Sequence, residues 1–188
     1  MPTLDIHERY FWALQLMDIQ PGDRVLEIGC GAGIAAGLVA GKLQTGTLTA
    51  IDRSAPMVQK ASARNRSSIE EGRAVFLTAP IEKVQAGGKP YDKAFAFNVS
   101  LFWGEPSRAL HALAALLKPD GRLYVFHQPP SEAKTRPIAE TARRLLEAHG
   151  YAVQETRYQP MKPATVSCIL ARPASWKELT AMFPGAPE

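Results

Sequence analysis

Between residues 24 and 171 the chain switches repeatedly between short apolar runs and amphipathic segments. Residues 24–28, 47–52, 73–77, 93–97 and 122–126 read as strands. Between them lie helix-like stretches: about 34–42, one opening at Ser54 with Pro56 in its first turn, 106–117, and 137–149 closed by Gly150. Ser54 is placed to cap its helix, and the turn Lys118-Pro119-Asp120-Gly121 separates the 106–117 helix from the strand at 122. Strand–helix alternation of this kind predicts a mainly parallel sheet covered on both faces. Two further strands at about 152–158 and 165–171, joined by a short loop with prolines, predict an antiparallel pair. An amphipathic helix over 5–18 precedes the alternation, with Ile6, Tyr10, Ala13, Leu14 and Met17 on one stripe. A terminal helix carrying Trp176, Leu179 and Phe183 on one face follows it.

The 188 residues suit one domain: a helix over 5–18, a core over 22–171, and a C-terminal helix and tail over 174–188. A composition 46% hydrophobic and 21% charged excludes a disordered chain. No apolar run reaches the roughly 18 residues that span a bilayer, the best being broken by Asn98 and Ser100. The start, Met1-Pro2-Thr3-Leu4-Asp5, lacks the pattern of a signal peptide. Two cysteines, Cys30 and Cys168, make neither a disulfide framework nor a metal site, so a cytoplasmic protein without metal is expected. The net charge of +4 is spread along the chain and does not establish nucleic-acid binding.

In parallel sheets ligands bind beyond the carboxyl ends of the strands. That rule selects residues 29–34, 52–54, 78–82, 98–105, 127–136 and 158–164. The first of these is the most informative. Val25-Leu26-Glu27-Ile28-Gly29-Cys30-Gly31-Ala32-Gly33 is a buried strand ending in an acid and opening into a Gly-x-Gly-x-Gly turn. Glycine permits positive φ and lets a ligand approach the backbone, and the helix that follows points its N–H groups at that ligand. A second acid, Asp52, closes the next strand.

These residues resemble the class I S-adenosylmethionine-dependent methyltransferases, over about residues 5–171. Glu27 to Gly33 match the family's first motif and Asp52 its ribose-holding acid, while Leu116-Leu117-Lys118-Pro119-Asp120-Gly121-Arg122-Leu123 looks like its turn into the fifth strand. The resemblance implies a Rossmann-like, doubly wound sheet of seven mostly parallel strands with one antiparallel strand and helices on both faces. It implies S-adenosylmethionine as cofactor and S-adenosylhomocysteine as product. It places Glu27, Gly29, Cys30, Gly31, Gly33, Asp52, Arg53, Met57, Thr78, Ala79, Ile81, Asn98, Val99 and Tyr10 around the cofactor. Met57 falls where many members put an apolar residue against adenine. Cys30 contributes a backbone position and not a nucleophile. Ala79 stands where members often carry an acid for the adenine amino group, which leaves backbone groups, Thr78 or Ile81 to hold that ring.

On the acceptor side, Phe102 and Trp103 are candidates for the substrate pocket, and His127 for a general base. The segment from Asn98 lacks the Asn/Asp-Pro-Pro-aromatic pattern of members that methylate amides or nucleobase amines, so a small-molecule acceptor is expected and nucleic acid is not. No membrane partner is implied, and a homodimer is compatible with the sequence. Two other readings stand beside this one. A non-catalytic S-adenosylmethionine-binding scaffold would keep the fold. A nicotinamide oxidoreductase would want Gly-x-Gly-x-x-Gly, and Ile34 occupies its third glycine position.

Overall fold

The structure, a computed structural model, describes residues 4–99, 107–175 and Glu178, with side chains from Glu8 onward. The described elements are α1 (Leu4–Met17), β1 (Arg24–Ile28), α2 (Ile34–Ala40), β2 (Thr47–Asp52), α3 (Ala55–Arg64), α4 (Arg66–Glu70), β3 (Ala74–Thr78), β4 (Tyr91–Phe97), α5 (Ser107–Leu116), β5 (Leu117–His127), α6 (Thr135–Ala148), β6 (Tyr151–Gln159) and β7 (Val166–Pro173). Trp176, Leu179 and Phe183, assigned above to a terminal helix, lie outside the described residues, as do Phe102 and Trp103.

Seven strands form one sheet in the order β3-β2-β1-β4-β5-β7-β6. Strands β1 to β5 pair in parallel, and β7 runs antiparallel to both β5 and β6. The alternation in the sequence thus gives the doubly wound, mostly parallel sheet it predicts. The order reverses between β1 and β4, which is the switch point where such sheets open a crevice for ligands.

Alternate residues of each strand face opposite layers. Leu26, Ile28, Ile51, Ala94, Ala96, Leu123 and Val125 pack with Leu110 and Leu113 of α5 and Ala142 and Leu146 of α6. Val25, Leu48, Ala50, Phe95, Tyr124 and Phe126 pack with Ala13 and Met17 of α1, the small residues Ala35, Ala36, Val39 and Ala40 of α2, and Ala61 of α3. Glu27, between Leu26 and Ile28, therefore shares the face of Val25, under α1 and α2. The small side chains let α2 lie close on the sheet and bring the start of that helix to the end of β1.

Three local readings are corrected. Ser54 sits at the N-cap of α3 without a side-chain cap bond; its N–H instead donates to Asp52 Oδ1 at 2.9 Å, so the acid before the helix organises this turn. Residues 118–121 do not separate helix from strand: β5 starts at Leu117 and absorbs the turn as an irregularity, where pairing with β4 jumps from Tyr91↔Leu117 to Lys93↔Arg122. Helix α6 starts at Thr135, two residues before Pro137, where a missing N–H is tolerated within the first turn.

Candidate active site

The glycine turn is built from β1 and β2 together. The N–H groups of Gly29 and Cys30 both donate to the Ile51 carbonyl, at 2.8 and 2.9 Å, and that of Gly31 donates to Asp52 Oδ2 at 2.9 Å. All three glycines hold positive φ, +72°, +51° and +74° for Gly29, Gly31 and Gly33, a region that side chains with a Cβ rarely enter. Their surroundings differ. A Cβ on Gly29 would come within 2.5 Å of Val99 Cγ2, and one on Gly33 within 2.6 Å of Asn65 Nδ2 and 2.8 Å of the Ala61 Cβ. A Cβ on Gly31 would meet nothing within 4 Å. The three glycines, expected to lie alike beside a ligand, thus divide: Gly29 and Gly33 admit neighbouring side chains, and Gly31 alone faces open space. Val99 correspondingly places a half-buried side chain against Gly29.

Asn65, which the sequence reading did not single out, ties this turn to α3. Its Nδ2 donates to the carbonyls of Gly33 (2.9 Å) and Ala61 (2.8 Å), and Arg64 Nε donates to the Ala32 carbonyl at 3.0 Å. Gly33 and Ala32 lie 32 positions from Asn65 and Arg64 in the chain, so no local signal marks these two contacts.

Beside the turn the electrostatics are acidic. Glu27 is 3% exposed, and its Oε2 is buried with no hydrogen-bond partner among the described residues. Burial first, and then the neighbouring Asp52, push its carboxyl well above the ordinary carboxylate range. Burial first, and then the neighbouring Glu27 and Asp52, push the Cys30 thiol up to about 12, so it is not a nucleophile at neutral pH. A buried acid lacking a donor is matched to a cationic ligand group.

At the ends of β4 and β5 a second cluster closes the site. Tyr10 packs edge-on to Phe97 (4.9 Å between ring centroids), and Phe97 stacks on Phe126 at 4.6 Å. Trp12 lies against Phe126 as packing, at 6.0 Å. Arg9, also missed from the sequence, spreads its guanidinium over Tyr10 and Phe97, 4.8 and 5.7 Å from their ring centres. It donates to the Tyr10 hydroxyl (2.9 Å) and to Gln128 Oε1 (3.0 Å), and pairs with no carboxylate among the described residues. Asn98 takes a left-handed φ of 51°, and its Oδ1 accepts the Gln128 N–H at 2.8 Å.

A cavity of about 530 Å³ lies beyond β2 and β3, lined by Arg53, Thr78, Ala79, Pro80, Glu82, Lys83 and Arg108. It brings together Arg53, Thr78 and Ala79 as expected. Met57 is half-buried on α3 and is not on its wall. Ile81 is a correction: at 3% exposure it packs into the core among the apolar side chains of α5, so it has no surface to give an adenine ring. His127 is 2% exposed, on the face shared by Leu123 and Val125, and burial depresses its imidazole to about 4. It is neutral at physiological pH, as a base must be, but it is shielded from solvent.

Comparison with known proteins decides the family. A family model described as a methyltransferase domain matches residues 25–121, more than half of the chain. The chain belongs to the class I S-adenosylmethionine-dependent methyltransferases. A putative methyltransferase, YrhH of Bacillus subtilis, is 33% identical over 109 residues, covering 58% of this chain and 59% of its own length. An uncharacterized methyltransferase of the same organism, YdaC, is 23% identical over 86% of this chain and 89% of its own. A protein-L-isoaspartate O-methyltransferase of Methylorubrum extorquens is 31% identical over 78% of this chain, which spans 60% of that relative. Among solved structures, the N-methyltransferase NodS of Bradyrhizobium japonicum in complex with S-adenosylhomocysteine superposes with a TM-score of 0.72, covering 93% of this chain and 90% of that one at 20% identity. At that identity the likeness is one of fold. No helix among the described residues of this methyltransferase-family chain is long and apolar enough to cross a membrane.

Proposed function

We propose that this chain binds S-adenosylmethionine across the ends of β1, β2 and β3 and transfers its methyl group to a small-molecule acceptor. The observation that carries the reading is the open approach to Gly31, whose N–H is anchored on Asp52 and which neighbours the buried acid Glu27. The residues fit the cofactor group by group. Glu27 offers a buried carboxyl oxygen without a donor, which an incoming ammonium would draw into its ionised form, and Arg9 offers a guanidinium without a carboxylate partner to the cofactor's carboxylate. Each oxygen of Asp52 accepts one backbone N–H and keeps a lone pair for a ribose hydroxyl. Thr78 and Ala79 offer the wall of the adjoining cavity to adenine.

When bound, the cofactor supplies an electrophilic methyl carbon; this chain's residues have to hold the acceptor in line with it and exclude water. Positioning alone supplies several kcal/mol or more of such a barrier, roughly 7–11 in the best intramolecular cases. The aromatic cluster of Tyr10, Phe97 and Phe126 gives an apolar wall at the ends of β4 and β5 and supports an acceptor with an apolar or aromatic body. Titration calorimetry with S-adenosylhomocysteine and with NAD tests the cofactor: binding of the first and not the second is expected, and the reverse overturns the reading. Methyl transfer to a metabolite panel then tests turnover, and cofactor binding without transfer to any acceptor would mark a scaffold.

A further inference from the structure

The 530 Å³ cavity is larger than an adenine ring needs, and Thr78 and Ala79 line only part of it. The rest of its wall is charged. Arg53 at the end of β2, Lys83 in the 3-10 turn Ile81–Lys83 and Arg108 in the first turn of α5 converge on it from three elements, with Glu82 as the one acid. All three cations are exposed, and among the described residues none makes an ion pair or a side-chain hydrogen bond, so each is free to turn toward a ligand in the cavity.

We propose that this cavity is an anion subsite that takes a phosphate group beside the cofactor's adenine. Among the described residues three cations against one carboxylate leave a surplus of two positive charges, which matches a phosphomonoester dianion near neutral pH. Two arginines supply planar forks for phosphate oxygens, and the lysine supplies a mobile point charge. The subsite rests on the methyltransferase reading only for the position of the adenine; the convergence of the cations stands without it. The phosphate belongs either to a phosphorylated methyl acceptor that extends from the aromatic wall at the ends of β4 and β5 along the cofactor to this cavity, which we favour because the cavity adjoins the adenine end of that site, or to free inorganic phosphate.

The test uses the full chain and a Lys83→Gln/Arg108→Gln double variant, neither residue being assigned to cofactor binding. Inorganic phosphate is titrated into each by calorimetry at constant ionic strength, with and without S-adenosylhomocysteine. The wild type is expected to bind phosphate and the variant at least tenfold more weakly, while S-adenosylhomocysteine affinity stays within about twofold. Equal phosphate affinity in the two proteins, or phosphate acting no differently from chloride, overturns the subsite. Phosphate binding without S-adenosylhomocysteine binding keeps the subsite and overturns the cofactor reading instead. Methyl transfer to phosphorylated metabolites and to their dephosphorylated forms then separates the two sources. A tenfold or greater preference for a phosphorylated acceptor, lost in the double variant, is expected; no preference assigns the subsite to free phosphate and overturns the acceptor assignment.

Discussion

The backbone N–H of Gly31 donates to Asp52 Oδ2 at 2.9 Å, so the one glycine of the turn that faces open space is fixed by the carboxylate that ends β2. The other oxygen of that carboxylate accepts the Ser54 N–H at 2.9 Å. Asp52 thus shapes the site before any ligand arrives.

Replacing Asp52 by Ala should therefore act twice. Loss of hydrogen bonds to a charged group is worth about 1.5–3 kcal/mol each, so S-adenosylhomocysteine affinity should fall at least about tenfold. The apo protein should also melt lower, by roughly 2–4 °C for each kcal/mol at this chain length. Calorimetry and thermal melting read the two effects separately. Unchanged affinity would remove Asp52 from the binding site.

Gly31→Ala and Gly33→Ala should separate binding from stability. Both positions hold positive φ, which costs an alanine about 1–2 kcal/mol. At Gly31 the new methyl enters open space, so a small drop in Tm with lost S-adenosylhomocysteine binding is expected. At Gly33 it would lie 2.8 Å from the Ala61 Cβ and 2.9 Å from its Cα, adding an overpacking cost of about 1–3 kcal/mol. The larger drop in Tm belongs to Gly33→Ala. The opposite ranking would show that the turn sits differently against α3.

What the sequence reveals of this site is local, and what it conceals is long-range. The strand ending in Glu27, the glycines and the acid at Asp52 are contiguous patterns, and the structure brings them together. Whether a glycine serves a ligand or a neighbour depends on where α3 places Ala61 and Asn65, which no spacing records. Arg9 and Gln128 meet across 119 positions. Ile81 looks like a loop residue in a ligand-facing segment, yet the 3-10 turn rotates it into the core under α5. The turn at 118–121 carries strong Pro and Gly signals, but the parallel partner β4 holds it within the strand. Tertiary pairing there overrides local turn chemistry.

Glu27 predicts a pH dependence. Its folded carboxyl is raised well above the ordinary value by burial and Asp52, while in the unfolded chain it ionises near 4.3. Above that pH the folded state holds a proton that the unfolded state has released. Stability contributed by Glu27 thus falls as pH rises from the unfolded value to the folded one. Glu27→Gln removes the dependence, so the variant should gain Tm relative to wild type as pH rises above the ordinary glutamate range, and should lose S-adenosylhomocysteine affinity. Parallel Tm curves for the two proteins across that range would contradict the assignment.

The last prediction concerns His127. A general base at this position would abstract a proton from the acceptor, worth typically 10²–10⁴-fold in rate. The ring is buried on the face of Leu123 and Val125, and burial holds its pKa at about 4. Because the folded value lies below the unfolded value of roughly 6.5, folding favours the neutral ring. Acidification through that interval therefore costs stability, and turnover should show no inflection from this group between about pH 5.5 and 8. Removing a buried ring of this size costs on the order of 2–5 kcal/mol, as for other large-to-small core changes. His127→Ala should accordingly melt several degrees lower while its folded fraction keeps a transfer rate close to wild type, positioning by the other residues being sufficient. If instead kcat falls a hundredfold or more with Tm and S-adenosylhomocysteine affinity unchanged, His127 is the proton acceptor.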